Sequence, residues 1–264
     1  MKKYIAFMVL CLLILIPNIA HAYNNKAIPW GFARSKDEQI PQAGKELDAL
    51  LQKYNSYYLG DSSKKIIYLT FDNGYENGFT ERILNILQEK KVPAAFFITG
   101  AYLKQAPNLV KRMVNEGHIV GNHSYHHPDM TTISDDKIRE ELRLVKEEFT
   151  KLTGSTHMQY LRPPRGVFSE RVLAVSNAEG YQSVFWSLAF VDWKTDQQKG
   201  AQYAYDNVLK QIHPGAVILL HAVSSDNASA LPKIIDDLQK RGYVFKSLDD
   251  KLIDDLFKES ILLH

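Results

Sequence analysis

The chain is almost without cysteine. Of its 264 residues only Cys11 carries a thiol, and it lies inside an N-terminal apolar run, so the rest of the chain holds neither thiol nor disulfide. Stability must come from a packed core. Long apolar runs are missing too: Ile5 to Ile16 is twelve residues, short of the roughly 20 that a spanning helix needs. There is no P-loop, no G-x-G-x-x-G, no C-x-x-C, no low-complexity tract and no short repeat, so the usual nucleotide and dithiol motifs play no part. An excess of charge is also lacking.

Lys2 and Lys3 precede the apolar run, Pro17 breaks it, and Ala20-His21-Ala22 has the form of a cleavage site. Residues 1–22 therefore have the features of a secretory signal peptide, with the mature chain beginning near Tyr23. Val9-Leu10 before Cys11 lacks the small residues of a lipidation site. The expected location is outside the cytoplasmic membrane, with no stable membrane insertion after cleavage. Removing the two leader lysines takes the balance from 32 basic against 30 acidic residues to 30 against 30. A neutral chain offers no electrostatic footprint for nucleic acid or an anionic membrane.

From Lys65 onward, short apolar strands alternate with amphipathic helices. The strands are Ile66 to Phe71, Ala94 to Thr99, His118 to Gly121, Gln159 to Leu161, Ser183 to Trp186, Val217 to His221 and Tyr243 to Ser247. Apolar spacing of three and four residues marks helices at Phe79 to Lys90, Asp135 to Leu152, Ser169 to Glu179 and Asp226 to Lys240. Strand and helix in alternation imply a parallel sheet covered by helices, α/β in class. An open sheet concentrates function at one switch point, whereas a barrel gathers it from many strand ends. Asp72, His123, Arg162, Asp192 and His221 follow five different strands, which favours the barrel. Residues 23–64 stand apart as an extension packed on the barrel unit of 65–264, with a helix expected over Ala43 to Tyr58 and an aromatic motif, "IPWGFARS", at Ile28 to Ser35.

Each polar strand end has two readings. Asp72 followed by Asn73-Gly74 is either a turn signal or a base. "GNHSYHHPDM" (Gly121 to Met130) is either a polar turn or a metal pair, since His123 and His127 are four apart; Pro128 predicts an extended His127. In "LRPPRG" (Leu161 to Gly166) two prolines stiffen a loop between Arg162 and Arg165, permanent cations suited to carboxylates. His221 closes the apolar run "AVILLH", and Asp192 and Trp193 sit in "FVDWK". Asn227-Ala228-Ser229 has the form of a glycosylation acceptor. In a barrel all these strand ends meet at one rim, where they supply the parts of metal-assisted hydrolysis.

The ordered motifs "TFDNG", "HSYHH", "RPPRG", "VDW" and "LLH", spread over Thr70 to His221, resemble those of the NodB-homology polysaccharide deacetylases, carbohydrate esterase family 4. The resemblance implies a distorted seven-stranded (β/α) barrel with an N-terminal extension that removes acetyl groups from N-acetylated sugars. It implies Asp72 as general base held by Arg162, and His221 as general acid oriented by Asp192. His123 and His127 would be ligands of a divalent cation, zinc or another transition metal, and the Arg165 amide an oxyanion donor. Tyr125 and Trp193 are candidate sugar contacts.

Two positions depart from the family pattern. Asn73 stands where relatives carry a second, metal-binding Asp, which implies a weakly held cation and a weak or absent role for Asn73 as ligand. Arg165 replaces a common aromatic and suits the lactyl carboxylate of muramic acid. With "WGFARS", it makes the chain resemble the subgroup that deacetylates N-acetylmuramic acid in spore cortex peptidoglycan, leading to muramic δ-lactam. The expected partner is a peptidoglycan glycan strand. Three rivals remain: a deacetylase of N-acetylglucosamine, a non-catalytic glycan-binding barrel, and a glycoside hydrolase using Asp72 and Asp192 as a carboxylate pair.

Overall fold

The computed structural model describes residues 23–34 and 37–262; the segment assigned to a signal peptide lies outside them. In chain order the elements are β1 (Ile28–Pro29), α1 (Lys45–Lys53), β2 (Ile66–Asn73), α2 (Thr80–Lys90), β3 (Ala94–Ile98), α3 (Gly100–Gln105), α4 (Pro107–Asn115), β4 (Ile119–Asn122), α5 (Asp135–Thr153) and β5 (Tyr160–Leu161). They continue with β6 (Val167–Phe168), α6 (Glu170–Ala178), β7 (Gln182–Ser183), α7 (Ala201–Gln211), β8 (Ala216–His221), α8 (Ser225–Lys240), β9 (Val244–Phe245) and α9 (Leu248–Leu262).

Seven parallel strands form one sheet in the order β7-β5-β4-β3-β2-β8, with β9 also paired to β2. The sheet curls. Beyond β7, Leu188 bridges Ile218 of β8, and the Leu219 amide donates to the Leu188 carbonyl at 2.9 Å. An irregular segment thus closes the open side, giving the expected barrel in distorted form. Every residue of β2 is buried, as befits a strand covered on both faces. Side chains alternate across it. Ile67, Leu69 and Phe71 join the large core under the helices, while Ile66 and Tyr68 join Phe97, Tyr160, Val184 and Val217 inside the barrel. Burial of each large apolar side chain contributes about 1.5–3 kcal/mol, so the two cores together hold the barrel without a covalent cross-link.

Local signals explain the best-read helices. Ser134 caps α5 by accepting from the Lys137 amide, and left-handed Gly154 ends it. Ser224 caps α8 by accepting from the Asn227 amide. Elsewhere the structure departs from expectation. The helix expected over Ala43 to Tyr58 stops at Lys53, Asn55 turns left-handed, and Tyr57 and Leu59 instead bridge Val184 and Ala216. That bridge also explains why β7 is shorter than Ser183 to Trp186: Phe185 donates to the Tyr57 carbonyl at 2.8 Å.

Candidate active site

Period-two alternation carries Thr70 and Asp72 to the inner face of β2. Asp72 is the register partner of His221 on β8, so two groups 149 positions apart in sequence (221 less 72) become neighbours about 4.8 Å apart across one strand pair. Arg162, fully buried, reaches them from the end of β5: its Nη1 donates to Asp72 Oδ1 at 2.7 Å, Nη2 to Thr70 Oγ1 at 2.9 Å, and Nε to the Val184 carbonyl at 3.0 Å. The guanidinium lies 4.2 Å from the centre of the Phe97 ring. On the other side, Asp192 Oδ1 accepts from His221 Nδ1 at 2.7 Å and Asp192 Oδ2 from the His221 amide at 2.8 Å. His221 Nε2 is therefore the ring nitrogen left for a reacting group.

His123 and His127 sit on a loop, with ring centres 4.8 Å apart. His123 Nδ1 donates to the Arg162 carbonyl at 2.8 Å, which leaves Nε2 as the lone-pair nitrogen; it lies 3.6 Å from Asp72 Oδ2. His127 is not extended, as Pro128 predicts, but left-handed at φ 57°, as is Ser124 at φ 61°. Such conformations cost about 1–2 kcal/mol each for residues with a Cβ. Side chains hold the loop against that cost. Asn122 Oδ1 accepts from the Ser124 amide at 2.9 Å, and Ser124 Oγ from the His127 amide at 3.0 Å. Glu141 Oε2 accepts from the Tyr125 and His126 amides at 2.9 and 2.7 Å.

One cavity of about 910 Å³ is lined by Asp72, His123, His127 and His221 together with Arg165, Tyr125 and Trp193, while Arg162 and Asp192 stand behind its wall. Arg165 is exposed and left-handed, at φ 61° and ψ 4°. Trp193 is half exposed, its ring 5.4 Å from that of His221. A second cavity, about 540 Å³ between α1 and α9, is lined by Tyr57, Lys251 and Asp255 and contains no histidine.

A family model described as polysaccharide deacetylase matches residues 59–184. The peptidoglycan-N-acetylmuramic acid deacetylase PdaA of Bacillus subtilis is 56% identical over 235 residues, 89% of each chain. The chain belongs to the polysaccharide deacetylase family. An uncharacterized 30.6 kDa protein of Geobacillus stearothermophilus is 60% identical over 241 residues, 91% of each chain. The solved structure of Bacillus subtilis PdaA, a family 4 carbohydrate esterase, superposes with a TM-score of 0.87, covering 88% of this chain and 99% of that one at 56% identity.

Within this polysaccharide deacetylase fold the electrostatics are asymmetric. Burial pushes the Asp72 carboxyl up, but the Arg162 guanidinium foremost, with the neighbouring imidazoles, outweighs it and holds the group below its ordinary value. Burial works against the charged form of His221, yet Asp192 prevails and raises that ring above its ordinary value. His127 is held down at about 4, by burial first and then by His123, and burial lowers His123 as well. The site thus sets a carboxyl held toward its charged form and an imidazole held toward its protonated form beside two imidazoles held toward their neutral form.

Two neutral imidazoles with one tautomer fixed are suitable donors for a divalent cation. Among the described residues no group of three His, Cys, Asp or Glu is arranged to hold one. Asn73 does not line the cavity. The alternation that turns Asp72 inward turns Asn73 toward α2, where its Nδ2 lies 3.4 Å from Thr80 Oγ1 and its Oδ1 is buried without a hydrogen-bond partner. The histidines therefore fit a cation as a two-donor set, and Asn73 is placed apart from them.

Sequence reasoning missed three supports. Asn227, noted only for the form of its tripeptide, is buried, and its Nδ2 donates to Asp192 Oδ2 at 2.5 Å and to the His221 carbonyl at 3.2 Å. Glu141, inside the helix expected over Asp135 to Leu152, is 1% exposed. Thr70 had the appearance of an ordinary strand residue. Only Glu141 left a signal: it falls on the apolar side of α5, between Ile138 and Leu142. Asp192 is 4% exposed with both oxygens engaged, which leaves it unsuited to serve a glycoside hydrolase as a free carboxylate.

Proposed function

We propose that this polysaccharide deacetylase hydrolyses the N-acetyl amide of N-acetylmuramic acid in peptidoglycan, in the wall or spore cortex space outside the cytoplasmic membrane. The observation that carries the reading is the pairing of a buried carboxyl, Asp72, held by Arg162, with an imidazole, His221, held by Asp192, on adjacent strands beside an exposed arginine. Asp72 takes a proton from water as the water oxygen adds to the acetamide carbon. The Arg165 amide N–H stabilises the resulting oxyanion. His221 Nε2–H protonates the sugar nitrogen, the C–N bond breaks, and acetate and a free amine leave. His123 and His127 would hold a divalent cation, which supplies Lewis-acid polarisation of the acetamide oxygen when bound. The freed amine can then close on the lactyl carboxyl, with loss of water, to give muramic δ-lactam.

One assay separates the readings. Purified protein is incubated with peptide-free cortex-type glycan, with and without chelator, and acetate and new reducing ends are measured together. Acetate without reducing ends supports deacetylation. Reducing ends without acetate indicate a glycosidase, and neither product indicates a binding barrel.

Arg165 sets the choice of sugar. Its guanidinium, exposed at the cavity, pairs in this reading with the lactyl carboxylate, and a charged hydrogen bond is worth about 1.5–3 kcal/mol. Arg165→Tyr is expected to lower kcat/KM on muramoyl glycan about 10- to 100-fold, by the same energy, and to leave chitin oligomers unaffected. Equal losses on both substrates would support the N-acetylglucosamine reading instead.

Asp192 sets the alkaline limit. Deacetylation needs His221 protonated, so activity falls as pH rises through its raised pKa. Asp192→Asn removes the stabilising charge while burial still opposes protonation. The alkaline limb of kcat/KM is expected to move to lower pH, with activity at neutral pH down about 10²-fold. An unmoved limb in the pH profile would show that another group is the acid.

A further inference from the structure

The Arg165 turn is strained and is not held by its own residues alone. Arg165 and Gly166 are both left-handed, at φ 61° and 66°, a state that glycine adopts freely and arginine does not. Pro163 and Pro164 stiffen the approach, and the Gly166 amide donates to the Pro163 carbonyl at 3.2 Å. Beyond the turn, the contacts come from the N-terminal segment of residues 23–34. The Trp30 amide donates to the Gly166 carbonyl at 2.7 Å. Ile28 and Pro29 pair antiparallel with Phe168 and Val167. The Trp30 indole Nε1 donates to the Trp186 carbonyl at 3.0 Å, and its ring packs 4.7 Å from that of Phe185. A Cβ at residue 166 would lie 2.7 Å from the Trp186 ring and 3.4 Å from Trp30 Cβ, so the three residues are in close contact.

The same segment reaches the loop beyond the histidines. Asn25 Nδ2 donates to the Thr131 carbonyl at 2.9 Å, and Asn25 Oδ1 accepts from Ser169 Oγ at 2.9 Å. Gly166 and Trp186 line the cavity, whereas Trp30 stands behind them and does not. We infer that residues 23–34 form a strap that belongs to the catalytic apparatus, with Trp30 a positioning residue that fixes the Arg165 turn from outside the cavity. This rests on the deacetylase reading above. It accounts for the aromatic motif at Ile28 to Arg34, which no step of the chemistry uses directly.

Two measurements test it. In hydrogen exchange on the full mature chain, Trp30→Ala is expected to speed exchange at residues 165–168 about tenfold and to leave β2 unchanged; unchanged exchange at 165–168 overturns the inference. In a double-mutant cycle, Trp30→Ala is expected to lower kcat about tenfold in the wild-type background, as misplacement of a reacting group does. In an Arg165→Gly background, where residue 165 no longer needs outside support, it should lower kcat less than about twofold. Equal factors in the two backgrounds overturn the inference and indicate a merely structural role. Should Trp30→Ala fail to fold, Trp30→Phe, which keeps the ring and loses the indole N–H, carries the same cycle and exchange measurement. Acetate release by wild type with an additive cycle removes this inference alone, whereas a wild type that releases no acetate removes the deacetylase reading on which it rests.

Discussion

Replacing Asp72 with Asn is expected to lower kcat for acetate release about 10³- to 10⁴-fold, the upper range for a general base, while KM changes little. The substitution preserves shape, so the cavity and the Trp193 and Tyr125 walls remain. It removes the proton acceptor beside His123 Nε2 and across the strand pair from His221, and with it the counter-charge of Arg162, so folding of the variant is checked alongside its rate. The wild-type pH profile should agree with this. Arg162, His123 and His221 together hold Asp72 below its ordinary value, so the acidic limb assigned to it should fall below about 3.9, the usual carboxylate figure. A variant within tenfold of wild type in steady-state acetate release would assign the base to another group.

Much of this site was legible because parallel strands present their chemistry at their C-terminal ends. Asp72, His123, Arg162 and His221 lie at or just past strand ends, Asp192 lies instead in the irregular segment after Leu188, and all five come together in the structure. The supports were less legible, since each acts through a contact distant in sequence. Nothing local to Asn227 announces that its amide will meet Asp192, 35 residues away. Asn73 is a different case. It was given a weak or absent part as ligand, and in the structure its side chain lies against Thr80 of α2, outside the cavity lining. Among the elements, α3 spans six residues, too short for helical periodicity to register. Pro107 at the start of α4 reads equally well as a helix breaker.

Arg162 links base, barrel and histidine loop, and its removal tests whether that linkage is energetic as well as geometric. Arg162→Met keeps most of the volume but leaves the Asp72 carboxylate buried without its cation and the Thr70 hydroxyl and Val184 carbonyl without their donor. Breaking a buried pair from one side costs about 3–5 kcal/mol, and that loss is expected in denaturant unfolding at pH 7. The sign of the pH dependence separates charge from packing. In wild type the depressed pKa of Asp72 contributes stability above the unfolded value, lost only as pH falls through the folded value. In the variant, desolvation, already the largest influence on Asp72, is opposed less and raises the folded pKa above the unfolded one. Protonation then relieves the buried charge, so the gap between variant and wild type should narrow as pH is lowered from 7 toward 4. A packing defect would cost the same at both. Adding Asp72→Leu to Arg162→Met removes both charges and should recover more than about half of the lost stability with no return of activity. Stability of Arg162→Met within about 1 kcal/mol of wild type, the scale of an exposed pair, would mean that Arg162 orients Asp72 without holding the barrel together.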